Sequence, residues 1–370
     1  MSDRAISVDV TRIATKGPGD VSGLVRLIET GGLDPASILA VLGKTEGNGG
    51  VNDFTREYAV AALREALAPH LHLPPHEVDD RIAFVMSGGT EGVLSPHLTV
   101  FARSFGANGA NAAPAGKRLS VGIAHTRDFL PEEIGRQAQI DETIDAVRRA
   151  MTDAGIADRA DVHFVQIKCP LLTSERIEAA LHRGYKTVTA GAYSSMGYSR
   201  GASALGVAAA LGELKVKACE DQVLKDWGLF SSVASSSAGI ELMHNVVIVM
   251  GNSPTSHSPF VIGHAVMRDS IDLGAVVEAL RSVGLAAGDA RTQGRLVNIF
   301  AKAEASPDGI VRGFRHTMLD DSDVGSTRHA RAAVGGLIAG LSGTGAVYVS
   351  GGAEHQGPPG GGPVAVIARA

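Results

Sequence analysis

A five-residue pattern, Ser-small-Gly-x-Glu, occurs three times in this sequence. The serines lie 150 and 113 residues apart, and each follows an apolar or small-residue run that is typical of a strand. A serine that leaves a strand into a glycine-containing turn exposes its hydroxyl where a ligand can approach the backbone closely. One copy alone is typical of an ordinary turn, whereas three copies indicate three diverged versions of one unit. The copies are Ser87–Glu91, Ser237–Glu241 and Ser350–Glu354.

Each copy is preceded by a lysine at a predicted strand end and by an arginine at a predicted helix start. The chain has only nine lysines, so three of them at equivalent strand ends favour a shared role. In the second unit this pattern predicts that Arg200 begins a small-residue helix over residues 202–211. The complete sets are Lys44, Arg56 and Ser87; Lys168, Arg200 and Ser237; and Lys302, Arg328 and Ser350.

These residue types suit acyl transfer. A serine hydroxyl is a weak nucleophile until a base takes its proton, and a lysine can be that base once burial and neighbouring cations lower its pKa. Three lysines and three arginines around one axis would favour an electron-rich or anionic ligand, with the arginines as forked donors to its oxygens. The backbone N–H groups after the serines can stabilise an oxyanion. The alternative is that these lysines are solvated and these arginines form surface ion pairs.

The order of predicted elements supports an α/β fold of three tandem, structurally similar units. Each unit contains a strand ending in lysine, a helix and a strand ending in serine. Low-complexity connectors at Asn108–Gly116 and Asn252–Ser256 predict the boundaries between the units. The predicted units are residues 1–107, 114–250 and 256–370.

Composition excludes several classes of protein. The 370 residues carry a net charge of −5 and no long basic run, which argues against nucleic-acid binding. No apolar stretch approaches the ~18 residues of a membrane span, and two cysteines cannot form a disulfide framework. The N-terminal residues lack a signal-peptide pattern, so we expect a cytoplasmic protein. The glycine-rich run at residues 357–362 lacks the Lys-Ser/Thr of a phosphate loop, and no organic cofactor is expected.

Longer motifs resemble a known family. They are SGGTEG from Ser87, GAYSSMGYSRGASALG from Gly191, SSSAGIEL from Ser235, KAEASPDG from Lys302 and SGGAEHQGPPGGG from Ser350. These segments are similar to those of the cyanuric acid hydrolase/barbiturase family of ring-opening amidohydrolases, and the similarity covers essentially the whole chain. The resemblance implies three α/β repeats around a pseudo-threefold axis with a central β-barrel, and assembly as a homotetramer.

The resemblance also implies a reaction: hydrolysis of a small cyclic imide through a Ser-Lys dyad. Cyanuric acid, a ring from s-triazine degradation, would open to carboxybiuret, which loses carbon dioxide to give biuret. Ser237 would be the nucleophile and Lys168 the base. Ser235, Ser236 and Ser237 are adjacent, and the choice of Ser237 rests on the alignment of the repeats. The residues expected to bind the ring are Lys44, Arg56, Ser87, Gly88, Arg200, Ser237, Ala238, Lys302, Arg328, Ser350 and Gly351.

A structural divalent cation is a further implication of the resemblance. Its expected ligands are oxygen atoms, mostly of the backbone, which suit magnesium or calcium. The corresponding residues are Glu304, Ala353, Gln356, Gly357, Pro358 and Gly361.

Two alternatives stay open at the level of sequence. A barbiturase would open barbituric acid to ureidomalonate, and its ring differs from cyanuric acid by one CH₂ in place of NH. A non-catalytic protein would bind small anions without turnover. The shared motifs do not separate the two rings, whereas three intact Lys/Arg/Ser sets argue against a mere binder.

Overall fold

The computed structural model describes residues 5–106 and 116–370. Two predicted features lie outside the described residues. They are most of the first linker, residues 108–115, and the N-terminal residues 1–4. None of the helices in the two described ranges combines the length and the hydrophobicity needed to cross a bilayer.

Three units follow one another along the chain with a shared order of elements: strand, helix, strand, helix, strand, strand. The first contains β1 (Ala5–Ala14), α1 (Ser22–Glu29), β2 (Ile38–Thr45), α2 (Thr55–Leu71), β3 (Ala83–Gly88) and β4 (His97–Gly106). The second contains β5 (Arg118–His125), α3 (Gln137–Asp153), β6 (Val162–Pro170), α4 (Ser174–His182), α5 (Ala192–Leu211), β7 (Ala234–Gly239) and β8 (Val246–Ser253). The third contains β9 (Phe260–Met267), α6 (Leu273–Ser282), α7 (Ala290–Arg295), β10 (Leu296–Ala303), β11 (Ile310–Val311), β12 (Phe314–Arg315), α8 (Ser326–Ser342), β13 (Tyr348–Gly351) and β14 (Gly362–Arg369).

Each unit forms one four-stranded sheet, and the three sheets have the same topology. Their strand orders are β1-β4-β2-β3, β5-β8-β6-β7 and β9-β14-β10-β13. The last two strands in each order are parallel, and the other pairs are antiparallel. A parallel pair requires a crossover connection, and α2, α5 and α8 supply it. The predicted set of three similar α/β units is confirmed.

The parallel pairs also share one register. Lys44 lies opposite Ser87, Lys168 opposite Ser237, and Lys302 opposite Ser350. Since the strands are parallel, both members of each pair lie at the carboxyl end of the sheet. The register identifies Ser237, and neither Ser235 nor Ser236, as the counterpart of the other two serines.

The sheets are buried on both faces, as the nearly continuous apolar run of β2 predicts. Helices cover the outer faces, and the inner faces share one core in which side chains of all three units meet. Phe300 is central to it, with ring centroids 6.3 Å from Phe101, 5.5 Å from Phe164 and 5.6 Å from Tyr348. Contacts between aromatic rings therefore join the three sheets along the axis.

The expected central barrel is not closed. Each four-stranded sheet keeps two edge strands of its own, and no ladder between sheets joins them into one cylinder in the part of the chain that the structure describes. An isolated bridge between Ile6 and Ser256 is one of the few strand-like contacts between units. Side-chain packing and side-chain hydrogen bonds, rather than a backbone ladder shared by the sheets, hold the three units together.

Two boundaries differ from the sequence predictions. Helix α5 begins at Ala192, so Arg200 is an interior residue rather than the first one. Small residues occupy the whole helix and leave no amphipathic period from which its start could be located. The strand β8 extends to Ser253, three residues beyond the predicted end of the second unit.

Candidate active site

The three Lys–Ser pairs meet at one end of the axis, where the three sheets converge. Three serines, the small residues after them and two of the predicted arginines line a single cavity. The complete lining is Gly49, Arg56, Met86, Ser87, Gly88, Met196, Arg200, Ser237, Ala238, Arg331, Ser350 and Gly351. It adjoins an outer cavity of about 230 Å³ that Arg200, Arg328 and Arg331 also line.

In the first unit the lysine contacts its own serine. The Nζ atom of Lys44 lies 3.0 Å from Ser87 Oγ and 3.4 Å from the carbonyl oxygen of Gly88. Lys44 is almost completely buried and contacts no carboxylate within 4.0 Å among the described residues. Burial lowers its pKa well below the ordinary value, and the charge of Arg331 adds to that effect.

The third unit repeats this arrangement. The Nζ atom of Lys302 lies 3.2 Å from Ser350 Oγ, 2.8 Å from the carbonyl oxygen of Ser236 and 2.9 Å from that of Gly351. Burial lowers the pKa of Lys302 to about 7, with a further contribution from Arg200. The Lys302 side chain contacts hydroxyl and carbonyl oxygens and no carboxylate among the described residues.

The second unit is different. The Nζ atom of Lys168 lies 2.8 Å from Glu241 Oε1 and 3.3 Å from the carbonyl oxygen of Met86. The hydroxyl of Ser237 is 3.1 Å from that of Ser350 instead of being held by its own lysine. Burial lowers the pKa of Lys168, although Glu241 opposes that shift. Burial also acts against ionised Glu241, but Lys168 outweighs it and brings the Glu241 pKa to about 2.

Glutamates of the repeated pattern contact arginines of the neighbouring units. Arg200 of the second unit donates to Glu354 of the third at 2.8 and 2.6 Å. Arg331 of the third unit donates to Glu91 of the first, also at 2.8 and 2.6 Å. Both pairs are bidentate, so each fixes the plane of its guanidinium beside the cavity.

The corresponding contact between the first and second units has changed. Arg56 donates to the carbonyl oxygens of Ala238, at 3.1 Å, and Gly50, at 2.6 Å. Its guanidinium makes no hydrogen bond to Glu241, and that carboxylate pairs with Lys168 instead. The three units therefore form a ring of contacts in which one of three links is different.

The structure places Arg331, rather than the predicted Arg328, among the three serines. The side chain of Arg331 is 4% exposed, whereas that of Arg328 is 43% exposed and lines only the outer cavity. Both donate to Glu91, since residues three apart on a helix share a face. Arg328 is one turn too close to solvent to reach the serines.

The central glycine of the repeated pattern is required by these contacts. A Cβ atom on Gly89 would lie 2.5 Å from Arg331 Nη2, and one on Gly352 would lie 2.5 Å from Arg200 Cζ. The φ angles of +108° and +75° at these glycines also favour glycine. In both copies the turn has no side chain because a guanidinium packs against its backbone.

Tyr348 places a hydroxyl beneath the serines. The side chain is fully buried, and its Oη atom has no partner in hydrogen-bonding geometry. Burial raises the pKa of Tyr348. The phenol is therefore neutral near pH 7.

We expect Tyr348→Phe to raise the free energy of unfolding by about 1 kcal/mol, because it removes a buried polar atom that lacks a partner. Urea denaturation of the two proteins measures the difference. A decrease in stability would contradict the unpaired state of this hydroxyl.

Of the residues expected to bind a cation, Glu304 lies beside the start of the loop at residues 353–361, because it accepts from the backbone N–H of Gly352. Burial raises the pKa of Glu304, with a further contribution from Glu354. The Glu304 carboxylate accepts from Thr327 Oγ1 and the backbone of Gly352 and makes no ion pair within 4.0 Å in the described ranges. No cluster of three His, Cys, Asp or Glu side chains suited to a metal occurs in those ranges. A carboxylate without a cationic partner beside a glycine-rich loop of carbonyl oxygens does fit a hard cation.

Sequence reasoning missed the roles of Glu91, Glu241 and Glu354, and it missed Arg331. The glutamates were visible as the last residue of the repeated pattern, and their recurrence was the available signal. Arg331 carried no signal that separates it from Arg328, because both precede the apolar face of the same helix.

Comparisons with known proteins place the chain in one family. The family model described as an amidohydrolase ring-opening protein matches residues 9–369. A cyanuric acid amidohydrolase of Bradyrhizobium diazoefficiens is 72% identical over 99% of both chains, and one of Pseudomonas sp. (strain ADP) is 63% identical over 98% of this chain and 99% of the relative. A solved structure described as a cyanuric acid hydrolase matches with a TM-score of 0.95 and 62% identity, over 99% of this chain and 100% of that one.

Proposed function

The chain belongs to the amidohydrolase ring-opening protein family of hydrolases, and on that premise we propose that it opens the ring of cyanuric acid by hydrolysing one of its amide bonds. The observation that carries this proposal is the shared register of three Lys–Ser pairs around one cavity. Cyanuric acid is itself threefold symmetric, with three carbonyl groups that three equivalent sets of donors can bind. The names of the similar proteins support the same substrate.

In this proposal the ring carbonyl oxygens lie among three guanidinium groups and three Ser-small pairs. Arg331 takes the role that the sequence predicts for Arg328, because it lines the cavity that contains the serines. Lys44 and Lys302 adjust the charge and donate to the ring. The remaining donors are Arg56, Arg200, Ser87, Gly88, Ser237, Ala238, Ser350 and Gly351.

The proposed reaction begins with attack of Ser237 Oγ on a ring carbonyl carbon. The neutral form of Lys168 takes the hydroxyl proton and passes it to the ring nitrogen as the C–N bond breaks. Water then attacks the acyl-serine, Lys168 takes its proton, and the proton returns to Ser237 Oγ as the ester bond breaks. The product is carboxybiuret, which loses carbon dioxide to give biuret. The proposed donors to the oxyanion of each tetrahedral step are the backbone N–H groups of the small residues after the serines.

What supports the second unit as the working dyad is its third member. A base that is oriented by a further group is typical of activated nucleophiles, and Lys168 contacts Glu241 whereas the other two lysines contact only hydroxyl and carbonyl oxygens.

We further propose that Glu304, with carbonyl oxygens of the loop at residues 353–361, holds a structural magnesium or calcium ion. Those oxygens belong to Ala353, Gln356, Gly357, Pro358 and Gly361. When bound, the cation would neutralise the carboxylate and fix the loop that follows Ser350. The proposal also includes a cytoplasmic location and assembly as a homotetramer. Size-exclusion chromatography with light scattering tests the assembly.

The test of the proposed substrate is a paired rate assay on cyanuric and barbituric acids, followed by loss of ring absorbance. We expect turnover of cyanuric acid. Faster opening of barbituric acid would keep the dyad and change the substrate, and no turnover of either ring would favour a small-anion binding protein.

A further inference from the structure

One lysine of the three contacts a carboxylate. Lys168 has no exposed side-chain surface, whereas its partner Glu241 is 37% exposed. The other two lysines are also buried and contact only serine hydroxyls and backbone carbonyl oxygens. Among the described residues, Lys168 is therefore the lysine of the three that contacts a carboxylate reaching solvent, that of Glu241.

That group faces a separate cleft. A cavity of about 370 Å³ lies between the first and second units, beside α2 and the strand β3. Glu241 lines this cleft but is absent from the lining of the cavity that contains the serines, and Arg56 lines both. The Glu241 carboxylate therefore contacts the buried Lys168 ammonium and also lines the solvent-accessible cleft.

From this arrangement we propose that Glu241 exchanges protons between Lys168 and water in the cleft, so that Lys168 returns to its neutral form without releasing the proton through the substrate cavity. This inference rests on the proposed role of Lys168 as the base at Ser237. Hydrolysis of a neutral ring amide breaks one C–N bond, forms one C–O bond and yields a carboxylic acid that ionises. By then Lys168 has returned its proton to Ser237 and is neutral, so it can take the proton of the new acid, and it must lose that proton before it acts as the base again.

The charges around Glu241 suit a group that releases protons quickly. Lys168 and Arg56 face it from the strand and helix that pack against it, and both favour its ionised form. Protonated Glu241 is therefore short-lived and passes its proton to cleft water. The cleft also contains His125 and His244, whose rings lie 5.5 Å apart, and the acidic residues Glu57, Asp79 and Asp80 around Arg64.

The decisive variant is Glu241→Gln, which keeps the shape of the side chain and removes its proton-accepting charge. We expect kcat to fall about tenfold or more in dilute buffer and to recover as imidazole is added, because a diffusible base in the cleft replaces the carboxylate. The loss of a negative charge beside the ammonium lowers the Lys168 pKa further, so the acidic limb of the kcat/KM profile moves to lower pH.

The matched control is Glu57→Gln, which removes the same charge from the same cleft without a contact to Lys168, and we expect it to change neither quantity. Glu241→Asp keeps the charge but shortens the reach, so an intermediate kcat that responds to imidazole is expected. A Glu241→Gln enzyme whose kcat ignores imidazole and whose acidic limb does not move overturns the inference. Full activity of Ser237→Ala would instead overturn the proposed dyad.

Discussion

Ser237→Ala is expected to lower kcat for ring opening by at least about 10³-fold, because the variant has no hydroxyl to form the acyl intermediate. Binding of the ring should persist. The variant keeps every guanidinium and the Ala238 backbone, and it loses one neutral hydrogen bond, worth about 1 kcal/mol. Steady-state rates measure the first effect, and calorimetric titration with cyanuric acid measures the second.

The chain contains two matched controls for this experiment. Ser87→Ala and Ser350→Ala remove the equivalent hydroxyl from the other two units, in which a lysine donates to it directly. If these serines only bind the ring, each variant should lose roughly tenfold or less in kcat/KM. Loss of turnover in either control, with an active Ser237→Ala enzyme, would assign the nucleophile to a different unit.

Arg331→Met is expected to destabilise the fold clearly more than the loss of its neighbour Arg328. Burial raises the pKa of Glu91, but Arg331 outweighs it and keeps that pKa below the ordinary value. Removal of the guanidinium leaves Glu91 with only the hydrogen bond from the half-exposed Arg328, at a cost of about 1–3 kcal/mol. The variant should also bind cyanuric acid at least tenfold more weakly, because one set of forked donors is missing from the cavity.

Arg328→Met provides the comparison, since it removes the same charge from the same helix. Its guanidinium is 43% exposed, so its ion pair with Glu91 contributes about 0–1 kcal/mol. Urea denaturation and titration with cyanuric acid, applied to both variants, separate the two arginines. Equal effects would mean that the burial difference between Arg331 and Arg328 has no functional consequence.

Much of this architecture follows from the sequence because it is repeated. The pairing of Lys44 with Ser87 could be predicted from order alone and reappears in the other units with the same register. The family resemblance is confirmed by the family model and by the similar proteins. Repetition supplies three independent samples of one pattern, which single motifs lack.

What sequence could not predict is the difference between the repeats. Whether Glu241 pairs with Arg56 or with Lys168 depends on the loop that holds Gly50, whose carbonyl oxygen accepts from Arg56. The choice between Arg328 and Arg331 depends on how deeply α8 is set against the neighbouring unit. Both are decided by packing between units, which no local pattern records.

The ring of contacts between units also has a consequence for the order of events during synthesis. Arg331 and Glu91 are 240 residues apart in the chain. At the ~5–20 residues per second of translation, Glu91 leaves the ribosome roughly 10–50 s before its partner. During that interval the first unit carries Lys44 and Ser87 without the wall that encloses them. The cavity wall between the third and first units is therefore complete only after α8 has been made and has docked against the first unit.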